Sequence, residues 1–164
     1  NIMTSALSEM MTIREYDRPD HRAEACAMQV MSAAFDPRYG EAWTASQLAG
    51  FMSLPGVNLM LAQLDQATLG FALVRHVVDE AELLLIAVDS KWRNKGVGGY
   101  LLHNCIKKAR NSGMTTLHIE VRENNRAIEF YQRAGFEEIH RRPAYYKGKD
   151  GACYDALSFT LLLS

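Results

Sequence analysis

Apolar side chains recur at helical spacing in two segments of the first third of the chain. Between Ala23 and Ala34 they fall at every third or fourth position, which predicts an amphipathic helix over residues 20–35. A second predicted helix begins at Thr44, and Gln47 follows three residues later, which is the spacing of a capping box. The intervening residues 35–43 are rich in Pro, Gly and aromatic residues and are predicted to be a loop.

The rest of the chain alternates between strand and helix patterns. Residues 57–63, 69–78 and 81–88 predict three strands joined by short turns, hence an antiparallel meander. Residues 83–88 are apolar at every position, as in a central strand covered on both faces. Then follow a helix over 98–112, a strand over 115–121, a helix over 124–134 and strands over 136–146 and 152–163. This order predicts an α/β or α+β fold with a mixed sheet.

Length and composition exclude several classes of protein. A chain of 164 residues, 48% hydrophobic and 23% charged, is typical of one globular domain, and we assign residues 1–164 to it. The net charge of -1 argues against a dedicated surface for nucleic acid or acidic membranes. No leader pattern opens the chain, so a cytoplasmic protein is expected. Asn1 and Ile2 precede the first methionine and are left out of the fold prediction.

A glycine-rich loop lies between an apolar strand and an amphipathic helix. Unpaired backbone N–H groups at a helix N-terminus bind anions, and glycine lets a phosphate approach closely. A P-loop is excluded because Val97 follows Lys95-Gly96, and a dinucleotide fingerprint is excluded because Leu101 replaces its third glycine. A glycine turn without a ligand is the alternative. The candidate anion-binding residues are Arg93, Asn94, Lys95, Gly96, Val97, Gly98 and Gly99.

Two motifs together carry a family resemblance. They are Arg93-x-x-Gly96-x-Gly98 and Asn124-x-x-Ala127-Ile128-x-x-Tyr131-x-x-x-Gly135-Phe136. In this order and spacing they resemble the GNAT N-acetyltransferases. The resemblance implies a mixed sheet of about seven strands with about four helices, and splayed strands that form a CoA cleft. It also implies acetyl-CoA as cosubstrate, without a metal.

The resemblance implies further contacts with acetyl-CoA. The backbone of Ile86, Ala87 and Val88 would pair with the pantetheine, and the second motif would contribute Asn124 and Ala127. The chain is one residue shorter than the family pattern after Val121, so either of two adjacent asparagines, at 124 and 125, could be the motif residue. Spacing to the motif tyrosine favours Asn124.

Two residues are the candidates for acid–base chemistry. The resemblance implies that Glu120 is the general base, directly or through water, and that Tyr131 is the general acid. The alternatives are a solvated strand position or an ion-pair role for Glu120, and a packing role for Tyr131. The five histidines show no metal-ligand spacing, and no His or Asn lies near Cys153 in sequence to support a covalent mechanism.

A narrower resemblance concerns the acceptor. Within the family, Ile86-Ala87-Val88-Asp89, Arg141-Arg142 and Tyr145-Tyr146 resemble the ribosomal-protein alanine N-acetyltransferases, which implies a protein N-terminal α-amino group as the acceptor. The residues expected to line its groove are Phe35, Trp43, Tyr145 and Tyr146.

Two other functions are weighed. A small amine, such as a polyamine, amino sugar or amino acid, would need a closed pocket with a carboxylate, for which Asp36 and Glu41 are candidates. A non-catalytic acyl-CoA sensor is disfavoured because both candidate catalytic residues are present. The sequence leaves open whether the protein is a monomer or a homodimer.

Overall fold

The computed structural model of the protein describes residues 2–36, 39 and 41–163. These residues form five α-helices, which are α1 (Ile2–Met10), α2 (His21–Ala34), α3 (Ala45–Met52), α4 (Val97–Asn111) and α5 (Ile128–Arg133), and one 3-10 turn (Ser90–Trp92). Their seven strands are β1 (Thr12–Tyr16), β2 (Val57–Leu64), β3 (Ala67–Val77), β4 (Glu80–Val88), β5 (Thr116–Arg122), β6 (Glu137–Lys147) and β7 (Cys153–Leu162).

All seven strands join one mixed sheet. Their order is β1-β2-β3-β4-β5-β7-β6. Every neighbouring pair is antiparallel except β4 and β5, which run parallel. The predicted meander of β2, β3 and β4 and the predicted mixed sheet are therefore confirmed.

The predicted capping box is confirmed, and two further local signals begin and end helices. The Asp20 side chain accepts from the Ala23 amide (2.9 Å) and begins α2. Thr44 and Gln47 form the reciprocal capping box at the start of α3, with side-chain-to-amide distances of 3.1 and 2.8 Å. Gly113, with φ of 80°, follows α4 in the left-handed conformation that glycine adopts readily.

Three elements differ from the prediction. The helix expected over residues 124–134 is shorter, since α5 begins only at Ile128. Its start is delayed because the Asn125 side chain accepts from the Ala127 amide (2.8 Å) and holds the preceding residues in turns. Both α1 and β1 were missed. β1 is a half-exposed edge strand without a clear apolar alternation, and its pairing with β2 fixes it in the sheet.

The sheet separates two apolar clusters. One lies on the side of α4 and α5 and includes Leu83, Leu101, Ile119 and Tyr131. The other lies on the side of α2 and α3 and includes Ala87. Both faces of β4 are therefore covered, as the sequence predicts. No described helix is long and apolar enough to cross a membrane.

Candidate active site

A gap opens in the middle of the sheet, between the two parallel strands. Pairing of β4 with β5 ends at Leu83 and Ile119, although β4 continues to Val88 and β5 to Arg122. On its other edge β4 stays paired with β3 as far as Val88. Residues 84–88 therefore turn one backbone edge toward a gap in which no described strand pairs with it. The predicted splaying of the strands is confirmed.

A bulge sits where the strands begin to separate. Leu73 pairs with Leu85 and Val74 with Leu83, so Leu84 is an extra residue in β4. A bulge bends its strand and redirects the side chains beyond it. The backbone that could pair with a pantetheine, at Ile86, Ala87 and Val88, begins directly after this bend.

The glycine loop lies at the end of β4 and leads into α4. Asn94 and Gly96 have φ of 60° and 88°, so both adopt the left-handed conformation. Gly96 is the N-cap of α4 and provides no side-chain cap, so the first-turn amides point outward without an intrahelical acceptor. A Cβ at Gly99 would meet nothing within 4 Å. The loop therefore fits a phosphate group held by main-chain amides.

The basic side chains of this loop are not equivalent. The Arg93 guanidinium donates to the Ala34 carbonyl at the end of α2, so it links the loop to that helix. Lys95 is half-buried and Lys91 is exposed. Arg93 was expected to donate to a bound anion, but in this structure it donates to a protein carbonyl. The first-turn amides of α4 still have the geometry that binds an anion.

The two adjacent asparagines have different partners. The Asn125 side chain accepts from the Ala127 amide (2.8 Å) in the turn that precedes α5. The Asn124 side-chain oxygen instead accepts from Nε of Arg122. A cavity of about 430 Å³ lies beside them, and its lining residues are Glu123, Asn124, Asn125, Arg126, Ile128 and Glu129.

Tyr131 is buried in the α4–α5 cluster. It is 2% exposed, and its ring packs edge-to-face against Phe130 and Phe136, at centroid distances of 5.3 and 5.7 Å. Ile86 and Val88 pack at the margin of the same cluster. Burial, followed by the neighbouring Cys105, raises the pKa of the Tyr131 hydroxyl above its ordinary value. Among the residues that the structure describes, none hydrogen-bonds this hydroxyl.

Glu120 faces the opposite side of the sheet. Its strand neighbours Ile119 and Val121 belong to the α4–α5 cluster, so strand alternation turns the carboxylate away from that cluster. The side chain is 24% exposed and lies 3.4 Å from Nε of Arg142. Ser158 Oγ donates to it at 3.5 Å. The two candidate catalytic side chains thus lie on opposite faces of the sheet, beside the gap between β4 and β5.

The predicted groove residues fall into two groups. Tyr145 and Tyr146 form an edge-to-face pair (5.2 Å), with Tyr145 54% exposed. Burial raises the pKa of Tyr146, and the nearby Glu120 carboxylate raises it further, so this pair lies close to the candidate base. Trp43 instead stacks on Phe51 at 4.5 Å, and with Phe35 it packs against the α2–α3 cluster.

A bulge in β6 orients the tyrosine pair. Pairing jumps from Arg142–Ala156 to Tyr146–Tyr154, and Ala144 between them has a left-handed φ of 50°. Asp155 holds this turn, since its carboxylate accepts from the Ala144 amide and from Arg141, both at 2.9 Å. The Ala144 amide and then Arg141 lower the pKa of Asp155.

Sequence reasoning missed a buried charged cluster beside Glu120. Arg122 is 7% exposed and forms an ion pair with Glu41. Its guanidinium carbon lies 3.6 Å from the centre of the Tyr39 ring, and Tyr39 packs on Tyr154 at 5.6 Å. Glu41 is therefore engaged by Arg122, where a small-amine pocket would need an available carboxylate. No periodic pattern marks this contact, because its partners are far apart in sequence.

Burial raises the pKa of the Cys105 thiol to about 12, so it carries essentially no thiolate at neutral pH. Within the described residues, no group of three or more His, Cys, Asp or Glu side chains is arranged to hold a metal ion.

Comparisons with known proteins agree with this geometry. The acetyltransferase (GNAT) family matches residues 14–136. The ribosomal protein bS18-alanine N-acetyltransferase of Haemophilus influenzae is 31% identical over 134 residues, which cover 82% of this chain and 91% of that enzyme. The enzyme of the same name from Escherichia coli K12 is 35% identical over 123 residues, which cover 74% of this chain and 82% of that enzyme.

The solved structures agree as well. The crystal structure of the Escherichia coli ribosomal-protein-S18-alanine N-acetyltransferase superposes with a TM-score of 0.83 at 29% identity, over 94% of this chain and 95% of that one. The family match spans the splayed strands, the glycine loop and α5. The chain therefore belongs to the GNAT family and is an acetyl-CoA-dependent N-acetyltransferase.

Proposed function

We propose that this enzyme acetylates the N-terminal α-amino group of a protein, with a ribosomal protein that begins with alanine as the acceptor. The observation that carries the proposal is the extent of the match to an enzyme named for that acceptor, which covers 91% of that enzyme's length. We assign residues 1–164 to one acetyltransferase domain. Ribosomal proteins occupy the cytoplasm, so we place the reaction there.

Acetyl-CoA would enter from the side of α4 and α5. The outward-pointing amides after Gly96 suit its pyrophosphate, since a helix N-terminus stabilises negative charge. The free backbone edge of Ile86, Ala87 and Val88 suits the pantetheine amides. Asn124 and Ala127 would border it at the start of α5. Acetyl-CoA supplies the activated acetyl group as a thioester.

The acceptor amine would enter from the opposite face, where Glu120 lies. An ammonium cannot attack a carbonyl, so Glu120 takes its proton, directly or through one water. The partial exposure of Glu120 leaves room for the amine beside it, and the exposed Tyr145 and half-buried Tyr146 provide aromatic surface for the residues that follow.

Tyr131 would act on the leaving group. As the C–S bond breaks, negative charge collects on the CoA sulfur, and Tyr131 donates its proton there. Its hydroxyl has no partner among the described residues and stays protonated because burial raises its pKa. The amine nitrogen forms the new C–N bond and loses its second proton, which reaches the Tyr131 phenolate through water, and Glu120 passes its proton to solvent. The products are the amide and CoA as the free thiol.

A panel of acceptors tests the proposal. CoA release is measured with an alanine-initiated peptide, the same peptide N-terminally blocked but containing lysine, and a set of polyamines, amino sugars and amino acids. We expect turnover only with the free N-terminus. Turnover with the small amines, and none with the free peptide, would contradict it.

A further inference from the structure

We propose that Arg122 is a positioning residue, whose guanidinium holds Tyr39 and residues 41–43 beside Glu120 and so builds one wall of the acceptor groove. This inference rests on the proposed function, because it concerns how that acceptor is presented. Arg122 contacts neither the acceptor amine nor the thioester, and it had no role in the sequence-based prediction.

Three different contacts fix the guanidinium. It forms an ion pair with Glu41, its Nε donates to the side-chain oxygen of Asn124, and the Tyr39 ring lies 3.6 Å from its central carbon. Arg suits such a site, because its planar group can bond at its edge while it stacks on its face. Two of the contacts come from the segment between α2 and α3, and the third comes from the start of α5.

The burial of this charge gives the contacts their strength. A guanidinium that is only 7% exposed has lost most of its hydration, and a buried charge is tolerated only when it is paired. Movement of Tyr39 and Glu41 away from β5 would leave Arg122 without its ion pair and without the ring that stacks on it. The segment is therefore held to the sheet more firmly than an exposed ion pair could hold it.

The position of Arg122 connects this anchor to the acceptor. Arg122 follows Glu120 by two residues on the same face of β5. Tyr146 lies near both side chains, since the Glu120 carboxylate raises its pKa and the Arg122 guanidinium lowers it. Tyr39 and Tyr154 extend the same surface. Tyr39 and Glu41 thus lie beside the tyrosines of β6 and β7, next to the strand that carries the candidate base.

Two variants test the anchor. Glu41→Gln removes one charge and keeps the shape of the side chain. Arg122→Met combined with Glu41→Met removes both charges, so that no unpaired charge stays buried, and such replacements are frequently tolerated by the fold. Glu15→Gln is the control for loss of a carboxylate charge, because Glu15, on β1 at the far edge of the sheet, forms an ion pair with Lys108 (3.0 Å) that is more exposed than the pair of Arg122 and Glu41.

Steady-state kinetics with an alanine-initiated peptide give the first readout. We expect the acceptor KM to rise about tenfold in both variants. Without the anchor the groove wall is no longer fixed in the free enzyme, so part of the binding free energy of the acceptor is spent on ordering it. In Glu41→Gln, which leaves the contact between Arg122 and Asn124 in place, the acetyl-CoA KM stays within about twofold, and the control matches wild type. An unchanged acceptor KM in folded variants, or an equal rise in the acetyl-CoA KM of Glu41→Gln, would overturn the proposal.

Hydrogen–deuterium exchange gives a second readout that needs no acceptor. Amides of residues 39–44 should exchange faster in both variants than in wild type, while those of β2 and β3 keep their rates. Unchanged exchange in residues 39–44 would overturn the anchoring role. If wild type acetylates no N-terminal peptide, the proposed function fails, yet the exchange result still decides whether Arg122 holds this segment.

Discussion

Tyr131→Phe separates chemistry from packing more cleanly than any other substitution at this site. The ring is almost completely buried and contacts Phe130 and Phe136, and phenylalanine keeps those contacts. The hydroxyl forms no hydrogen bond to a described residue, so its removal breaks none. We therefore expect the free energy of unfolding to change by less than about 1 kcal/mol. Loss of a general acid should lower kcat by roughly 10²- to 10⁴-fold.

The assay is steady-state kinetics with thermal unfolding of the same samples. Because the lost interaction is made mainly in the transition state, kcat should fall far more than either KM rises. Tyr100→Phe is the matched control, since it removes a hydroxyl that donates to the Met11 carbonyl (3.3 Å). It should lower stability by about 0.5–1.5 kcal/mol with kcat unchanged. An intact kcat in Tyr131→Phe would refute the general-acid assignment.

Three further predictions follow from the site and the core. Gly96→Val should abolish the rise in melting temperature that CoA gives wild type, because a left-handed φ of 88° excludes valine; Gly113→Val imposes similar backbone strain away from the loop and should keep that rise. Glu120→Gln should lower kcat by roughly 10²- to 10⁴-fold, with partial recovery as pH rises, whereas wild-type turnover at neutral pH would contradict a base role. The raised pKa of Cys105 has a defined sign: above pH 9.0 the unfolded thiol ionises while the folded thiol keeps its proton up to about 12. Stability therefore falls with rising pH, by up to about 1.4 kcal/mol per unit, and urea unfolding at two alkaline pH values should show that Cys105→Ala lacks this part of the fall.

Local sequence patterns predicted most of the fold, because most helices and strands are determined by residues within or directly beside them. The capping box at Thr44 and the strand-turn pattern over residues 57–88 needed no distant information. Local patterns could not predict β1, because its residues lack a clear alternation of apolar and polar side chains and the strand is fixed by its pairing with β2. The length of α5 was overestimated because the Asn125 side chain competes with the helix for the backbone.

The candidate site likewise contains some residues that the sequence predicted and others that only the folded structure shows. Gly96 was found because a glycine at a strand-to-helix turn has a local meaning, and the gap was expected from the family resemblance. The Arg122–Glu41 pair and its contact with Tyr39 join segments that only the folded sheet brings together. The packing of Trp43 on Phe51 likewise depends on how α3 lies against the sheet. Such tertiary contacts leave no periodic pattern in the chain.

The position of the transferred acetyl group tests the central claim most directly. A single peptide that begins with alanine and contains an internal lysine is incubated with the enzyme and acetyl-CoA, and tandem mass spectrometry locates the modification. The account predicts acetyl on the α-amino nitrogen alone, in wild type and at a much reduced rate in Glu120→Gln. Acetyl on the lysine side chain alone, or no modified peptide under conditions where a small amine is acetylated, would contradict it.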